Sequence, residues 1–175
     1  MNYVDCIGRS YPTIEVECMD DPTVYANVVH IGGPAIPPME ELQAKQLESD
    51  RDDMWDKIQE ERYRREQFGG TNVEGIWFHS DDTSKIKQNS MTVAAGLGLL
   101  EPLSIKWKRM DKQFVEMTND LAIMIFMKAM ATVEAIFQHA EYHKAQMLLS
   151  ADPLSYDYSG GWPEMFSDLH PDIPA

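Results

Sequence analysis

The sequence predicts an α+β fold in three parts, and each part rests on a different pattern. A small β head over residues 1–35 is predicted from alternating apolar and β-branched residues. An α+β domain over residues 39–149 is predicted from two long helical patterns with short strand-like runs between them. An extended aromatic and acidic tail over residues 150–175 is predicted because Pro, Gly and Asp recur there without any period.

The composition places the chain among globular proteins. Its 175 residues are 43% hydrophobic and 25% charged, which is close to the average for folded domains. A net charge of −14 argues against a nucleic-acid surface and a polybasic membrane anchor, since both need clustered Lys and Arg. The longest apolar stretch, residues 121–137, is interrupted by Lys128 and Glu134, so we expect a buried helix and no membrane span.

The N-terminal residues bear on the cellular compartment. The opening stretch MNYVDCIGRSYP lacks the basic and apolar regions of a signal peptide, so a cytoplasmic location is expected. Cys6 and Cys18 are the only two cysteines and form no disulfide framework, which fits a reducing compartment. A disulfide between them is the alternative if the head is a hairpin.

Two strands are predicted in the head. IEVEC alternates apolar and polar residues, TVYANVVHI is rich in β-branched and aromatic residues, and the turn cluster MDDP separates them. GGPAIPP, residues 32–38, cannot continue a strand or a helix and is interpreted as a hinge.

A charged helix is predicted from Met39 to about Gln67. Pro38 stands just before it, where proline commonly starts a helix. Most of the helix surface carries dense mixed charge, and the apolar positions form a narrow stripe: Leu47, Met54, Trp55 and Ile58. A solvated helix face is the main interpretation, and a coiled-coil seam between copies is the alternative.

Short strands and a second helix follow. VEGIWFHS, residues 73–80, is predicted as a β segment with Gly75 inside it. Asp81 or Asp82 is predicted to cap a helix that ends by Gly96. SIKWKR and QFVEM, on either side of the sequence MDK, are predicted strands of a hairpin.

The last long helix is predicted from Thr118 or Asn119 to about Leu149. Asp120 lies in its first turn, where the helix dipole favours a negative charge. The first half of this helix is apolar nearly all round, so more than one surface is expected to cover it. A central position within the domain is the main interpretation, and an oligomer interface is the alternative.

The order of elements between residues 45 and 148 is similar to that of a known family. An Arg-rich helix end precedes a Gly-containing strand with an aromatic, a polar helix cap, a Trp-containing strand and a Thr-capped helix. The corresponding residues are Arg62, Arg64 and Arg65; Gly75 and Phe78; Asp81, Asp82 and Ser84; Trp107; and Thr118 with Leu121. This order resembles the phage-tail domain of unknown function 4376, which occurs in tail-fibre and tail-assembly proteins.

The resemblance implies a setting and no catalytic residues. It implies a bacteriophage tail or tail-fibre structural protein that acts in the virion through contacts with other tail or fibre proteins. A tail-fibre assembly chaperone, which works in the host cytoplasm and leaves the particle, is the alternative. The motif residues also have a purely structural interpretation, since Asp81 caps a helix and Phe78 and Trp107 fill a core.

His139 and His143 raise the question of a metal site. In HAEYH they lie four residues apart on one helix face, as zinc ligands do. The general-base Glu of the H-E-x-x-H motif is replaced by Ala140, and Ala135, one turn earlier, cannot ligate. We therefore expect no metal, no cofactor and no catalytic residue. A small metal-dependent enzyme stays a third hypothesis.

Large apolar residues of the tail are the predicted partner contacts. Fully solvated tails rarely carry so many of them, so the tail is expected to dock on something. The candidate anchors include side chains of the kinds that dominate interface energies: Tyr156, Tyr158, Trp162, Met165 and Phe166. A strap that docks on the chain's own core is the alternative.

Overall fold

The computed structural model describes residues 1–173; the last two residues of the predicted tail, 174–175, lie outside the described residues. The described helices are α1 (Tyr3–Ser10), α2 (Met39–Phe68), α3 (Asp82–Gly96), α4 (Leu100–Leu103), α5 (Asn119–Leu148) and α6 (Phe166–Leu169). The described strands are β1 (Glu15–Cys18), β2 (Val28–Gly32), β3 (Thr71–Val73), β4 (Ile76–Phe78), β5 (Lys106–Lys108) and β6 (Phe114–Glu116). Consecutive strands pair antiparallel as β1–β2, β3–β4 and β5–β6. This mixture of helices and small sheets confirms an α+β fold.

The chain divides into two compact units. Unit 1 consists of Met1–Asp56 and Met147–Tyr156, and unit 2 consists of Lys57–Gln146 and Asp157–Ala175. Two of the boundaries fall inside the 30-residue helices α2 and α5. The predicted domain limits at residues 35 and 149 therefore do not coincide with the limits of the units.

Unit 1 begins with a helix where the sequence predicted only strands. The Asn2 side-chain oxygen accepts hydrogen bonds from the backbone N–H groups of Val4 and Asp5, at 3.0 and 3.1 Å, and so caps α1. The buried residues of α1 are Tyr3, Cys6 and Ile7, which have helical spacing. The prediction of β structure over residues 1–31 is wrong for this stretch, because its buried residues recur every three to four positions and do not alternate.

The predicted hairpin of unit 1 is present as β1–β2, but the second predicted strand is wrong over Tyr25–Asn27, which form a 3-10 turn before β2. Val16 pairs with His30, and Cys18 pairs with Val28. The core under this hairpin is formed by Tyr3, Cys6, Ile7, Ile14, Val28 and Leu42. The Cys6 Sγ donates a hydrogen bond to the Leu42 carbonyl oxygen at 3.3 Å, and both cysteines are free thiols.

Unit 2 contains a second hairpin where the sequence predicted a single β segment. The run VEGIWFHS bends at Glu74 and Gly75, which have φ angles of 52° and 86°. Strand β3 lies before this turn and β4 after it, so Val73 faces Ile76 across the ladder. Gly75 is therefore a turn residue and not an interior strand residue.

The predicted cap of α3 and the predicted β5–β6 hairpin are confirmed. Asp81 accepts a hydrogen bond from the Ser84 backbone N–H at 3.0 Å, which satisfies one of the free donors of the first turn. Trp107 pairs with Val115 in the hairpin. The main core of unit 2 then forms from Val73, Phe78, Ala95, Leu100, Met117, Leu121, Ala122 and Ile125.

Helix α5 has one buried side and one exposed apolar side. Its residues Ala122, Ile125, Ile136 and Ala140 are at most 3% exposed, whereas Met127 and Met130 are 64% and 59% exposed. The interpretation of this helix as covered all round within its own domain is therefore wrong for the second side. Within residues 1–173, no helix is both long enough and apolar enough to cross a bilayer.

Candidate interaction surface

The C-terminal segment of unit 2 lies against the core of the same unit. We call residues 157–173 the strap. Trp162, Met165 and Phe166 of the strap are 9%, 2% and 1% exposed. Phe166 packs in a cluster with Trp77 and Met110, and its ring centroid lies 6.1 Å from that of Trp77 in an edge-to-face arrangement.

Two hydrogen bonds hold the strap to the last turn of α2 and to Gly69, the residue after it. The Phe166 N–H donates to the Gly69 carbonyl oxygen at 2.8 Å, and the Arg65 guanidinium donates to the Pro163 carbonyl oxygen at 2.9 Å. The same Arg65 lies 5.2 Å from the Trp162 ring centroid, within cation–π range. The Arg-rich end of α2 thus contacts the strap through both charge and hydrogen bonds.

The two histidines of α5 converge on the strap. His139 Nε2 and His143 Nε2 each lie 3.0 Å from the Gly160 carbonyl oxygen, which accepts a hydrogen bond from each imidazole. The Trp162 ring centroid lies 5.1 Å from that of His139 and 5.3 Å from that of His143. We call these contacts between the two histidines and Gly160 the histidine clamp.

The clamp gives the histidine pair a structural role. Burial lowers the pKa of His143, while its hydrogen bond to the Gly160 carbonyl opposes that shift and leaves the net direction downward. Both Nε2 atoms point at a peptide oxygen. Among the residues that the structure describes, no three His, Cys, Asp or Glu side chains form a group that could hold a metal ion.

The five predicted partner residues differ in their exposure to solvent. Tyr156 in unit 1 and Tyr158 in the strap are half-buried. Trp162, Met165 and Phe166 are buried within unit 2, so a partner could reach them only after the strap had left its place. This placement agrees with the alternative interpretation, in which the tail docks as a strap on the chain's own core.

A different surface of unit 2 is apolar and open. We call it the α3–α5 face. Its members are large apolar side chains that are 37% to 70% exposed: Ile86 and Val93 on α3, Leu97 just after α3, and Ile123, Phe126, Met127, Met130 and Phe137 on α5. None of these residues was predicted as a partner contact, although the apolar first half of α5 carried a signal for those on that helix.

A groove runs between the two helices of this face. Its volume is about 390 Å³. It is lined on α5 by Phe126, Ala129, Met130, Val133 and Glu134, and on α3 by Lys85, Gln88 and Asn89. Ile86 and Val93 lie three and four residues from Asn89, so they project from nearly the same side of α3. The groove therefore has a mainly apolar wall on α5 and a polar wall on α3.

A second groove of unit 2 is basic in an otherwise acidic chain. It has a volume of about 280 Å³ and is lined by His79, Ser84, Lys87, Lys106, Trp107 and Lys108. One of its lysines, Lys106, is bound to the Glu116 carboxylate at 2.9 Å. Lys87 and Lys108 contribute two further ammonium groups to this groove.

The family of the chain follows from its sequence match. The model of the family described as domain of unknown function (DUF4376) matches residues 49–160. The chain belongs to this family. The match includes all of α3 and α5 and the histidine clamp. No match to the chain was found among curated proteins or among solved structures.

Proposed function

We propose that this protein acts through protein–protein contact, as a structural component of a bacteriophage tail or tail fibre. The observation that supports the proposal is the α3–α5 face. Monomeric proteins rarely expose contiguous apolar surface of this kind, and such surface marks sites of interaction with other proteins. The phage setting comes from the resemblance of residues 45–148 to domains of tail-fibre and tail-assembly proteins.

The polar groups near the face favour binding over catalysis. The groove contains one acid, Glu134, and one base, Lys85, among mostly apolar and amide side chains. The Lys85 ammonium already donates to the Glu66 carbonyl oxygen at 3.2 Å. The histidines of α5, which are the residues most suited to acid–base chemistry, contact the strap in the clamp.

The experiment is mass spectrometry of purified phage particles that carry the gene, with peptides from residues 113–128 as markers. A structural component is expected in a fixed ratio to the other tail proteins. Clear absence from the particle together with abundance in the infected lysate would contradict that role and indicate an assembly chaperone.

The part played by the face is tested with a pair of variants. Val93→Lys places a charge on the face where the side chain is 69% exposed, so folding should be unaffected while incorporation into particles is lost. Met19→Lys changes a 73% exposed residue of unit 1 and is the matched control. Equal incorporation of the two variants would contradict a role for the face.

A further inference from the structure

The basic groove of unit 2 lies along the open edge of β5, whose three residues all line it. The Arg109 N–H, just after β5, donates to the Gln113 carbonyl oxygen across the hairpin at 2.9 Å. Because backbone groups alternate in direction along a strand, those of Lys106 and Lys108 are directed away from β6. Within residues 1–173, the N–H and C=O groups of these two lysines have no hydrogen-bond partner.

The β3–β4 hairpin closes this edge at one end only. The Met110 N–H donates to the Trp77 carbonyl oxygen at 3.0 Å, and no other backbone hydrogen bond crosses the edge within the described part of the chain. After β4 the chain enters α3, and the His79 carbonyl oxygen accepts a hydrogen bond from the Gln88 side-chain amide at 2.8 Å. The groove therefore lies between β5 and the first turns of α3, which contribute Lys87.

The charge of the groove is opposite to that of the chain. Its lining contains three lysines and no Asp or Glu, in a chain with 15 basic and 29 acidic residues. Lys106 shares its charge with Glu116, whereas Lys87 and Lys108 form no ion pair or side-chain hydrogen bond within residues 1–173. A ligand with carboxylates would therefore gain two ammonium groups that no group of the described chain uses.

The open backbone groups distinguish a peptide from a small anion. A phosphate or a single carboxylate could pair with the lysines but would leave the outward N–H and C=O groups of the edge without partners. An extended peptide satisfies both sets, since its main chain bonds to the edge and its side chains reach the lysines. Lysines on an edge also oppose pairing with a basic strand, so they select an acidic one.

The alternation along β5 specifies the side chains of such a peptide. Lys106 and Lys108 project to the same face, so acidic residues at every second position of an added strand would lie beside them. Trp107 projects to the other face and packs against the main core of unit 2. The residues between the acids would meet the Trp107 side of the groove, which favours apolar side chains there.

We propose that the open edge of β5 receives an extended acidic segment of a partner protein as an added strand, with its carboxylates at Lys87, Lys106 and Lys108. This proposal rests on the proposed function in one respect, which is that the protein acts through contact with other proteins. The site shares no lining residue with the groove of the α3–α5 face, so unit 2 has two separate surfaces for partners.

The first test is binding of a labelled peptide to the purified full chain, measured by fluorescence anisotropy. The probe is a fluorescein-labelled heptapeptide of alternating Glu and Val, and a heptapeptide of alternating Lys and Val is its control. The acidic probe should bind and the basic one should not, and added salt should weaken the binding because it screens the lysines. Absence of binding up to about 1 mM, or equal binding of the two probes, would overturn the proposal.

The second test places the binding at the groove with a pair of charge reversals. Lys108→Glu and its matched control Lys128→Glu each reverse the charge of an exposed lysine in unit 2, so both proteins have the same net charge. Lys108→Glu should weaken binding of the acidic probe about tenfold, and Lys128→Glu should change it by about twofold or less. Equal effects would show attraction to the protein as a whole and overturn the site. Thermal unfolding verifies that both variants fold.

The third test separates strand addition from attraction of charge alone. Two acidic probes are methylated at alternate backbone nitrogens, one at the Glu residues and the other at the Val residues. Only one of these sets of N–H groups can face β5 in an added strand, so one probe should lose affinity about tenfold relative to the other. Equal affinities of the two probes would overturn strand addition. Displacement of the unmethylated probe by an equal concentration of inorganic phosphate would overturn it as well.

The oligomeric state of the purified chain tests a different occupant. The proposed occupant belongs to another protein, so light scattering should give the same mass for the wild type and for Lys108→Glu. Self-association of the wild type that Lys108→Glu abolishes would show that a second copy of this chain occupies the edge, and would overturn the assignment to a partner protein.

The two proposals can fail separately. A protein that is incorporated into particles but binds no acidic probe would overturn the added strand and leave the proposed function in place. A protein that binds the probe at Lys108 but never occurs in particles would overturn the structural role in the virion and leave the peptide site in place.

Discussion

Gly160 and Gly161 are neighbours in the strap, but the structure tolerates a side chain at only one of them. A Cβ at Gly160 would meet no atom within 4 Å. Gly161 has a φ angle of +82°, and a Cβ there would lie 2.6 Å from Cε1 and 2.7 Å from Nε2 of His139. The His139 ring cannot move away freely, because it is held by the Gly160 carbonyl and the Trp162 ring.

We expect Gly161→Ala to destabilise unit 2. The left-handed backbone conformation costs a residue with a Cβ about 1–2 kcal/mol, and displacement of His139 adds to that cost. Gly160→Ala is the matched control and should change the free energy of unfolding by about 0.5 kcal/mol or less. Chemical denaturation of both variants measures the difference. Equal stability of the two variants would contradict the clamp geometry.

The histidine clamp also predicts a pH dependence of stability. Because the folded-state pKa of His143 is lowered, the unfolded chain binds a proton more readily than the folded one. The stabilising contribution of neutral His143 is fully present above the unfolded-state pKa of about 6.5. It is lost as the pH falls below that value towards the folded-state pKa. The free energy of unfolding should therefore decrease on acidification from pH 7.

The measurement compares wild type with His143→Gln between pH 7.5 and about pH 5, above the range where most carboxylates titrate. The variant should show a smaller loss of stability over this interval. Met19→Gln, at a 73% exposed position of unit 1 that carries no titrating group, is the control and should retain the wild-type slope. A slope that is identical in all three proteins would mean that His143 does not titrate differently in the folded state.

At the scale of elements, the strap is a short segment that buries several large apolar side chains. Phe166 lies in α6, a helix of only four residues, and its ring packs against Trp77 and Met110. Such a segment has little stability of its own, since isolated helices need about 12–15 residues to be even marginal in water. Its position comes from packing and from the bonds to Gly69 and Arg65.

We therefore expect Phe166→Ala to lower the free energy of unfolding by about 3–5 kcal/mol, the usual cost of truncating a buried phenylalanine. Leu169→Ala, at a position that is 50% exposed, should change it by about 0.5 kcal/mol or less. Denaturant titrations of both variants provide the values. A small effect at Phe166 would mean that the strap is dispensable to unit 2 and available to a partner.

The elements that were predictable are those with a local signal. The charge pattern and Pro38 predicted α2, which spans Met39–Phe68, and Asp81 was recognised as the cap of α3. Helix α1 was not predicted because its eight residues make only about two turns, although its buried residues Tyr3, Cys6 and Ile7 do have helical spacing. The strap was read as an extended tail because its contacts with Trp77, Gly69 and the histidines are remote in sequence, and no local pattern encodes them.

The candidate surface was only partly predictable for a related reason. Composition showed that the first half of α5 is apolar nearly all round, but it could not show which side the rest of the unit covers. Burial of Ala122, Ile125 and Ile136 uses one side and leaves Ile123 and Met130 on the other. Residue type alone does not separate the two sides, because isoleucine occurs on both, at Ile125 and at Ile123.

At the scale of the whole molecule, the charge and the α3–α5 face have opposite effects on association. A net charge of −14 keeps copies of the chain apart through long-range repulsion. The face is nearly uncharged, so association there is favoured by burial of apolar surface and disfavoured only by the remote charges. We expect association through the face to strengthen as salt is added, because screening reduces the repulsion and leaves apolar burial intact.

The most direct measurement of the central claim is methionine oxidation of the protein in its assembled state. Met127 and Met130 are 64% and 59% exposed in the single chain, and Met19, in unit 1, is 73% exposed. In the dilute purified chain all three should oxidise at similar rates. In the assembly from the source, Met127 and Met130 should be protected several-fold while Met19 remains reactive. Oxidation of all three at unchanged rates would show that the face stays open to solvent and would contradict its role as an interface.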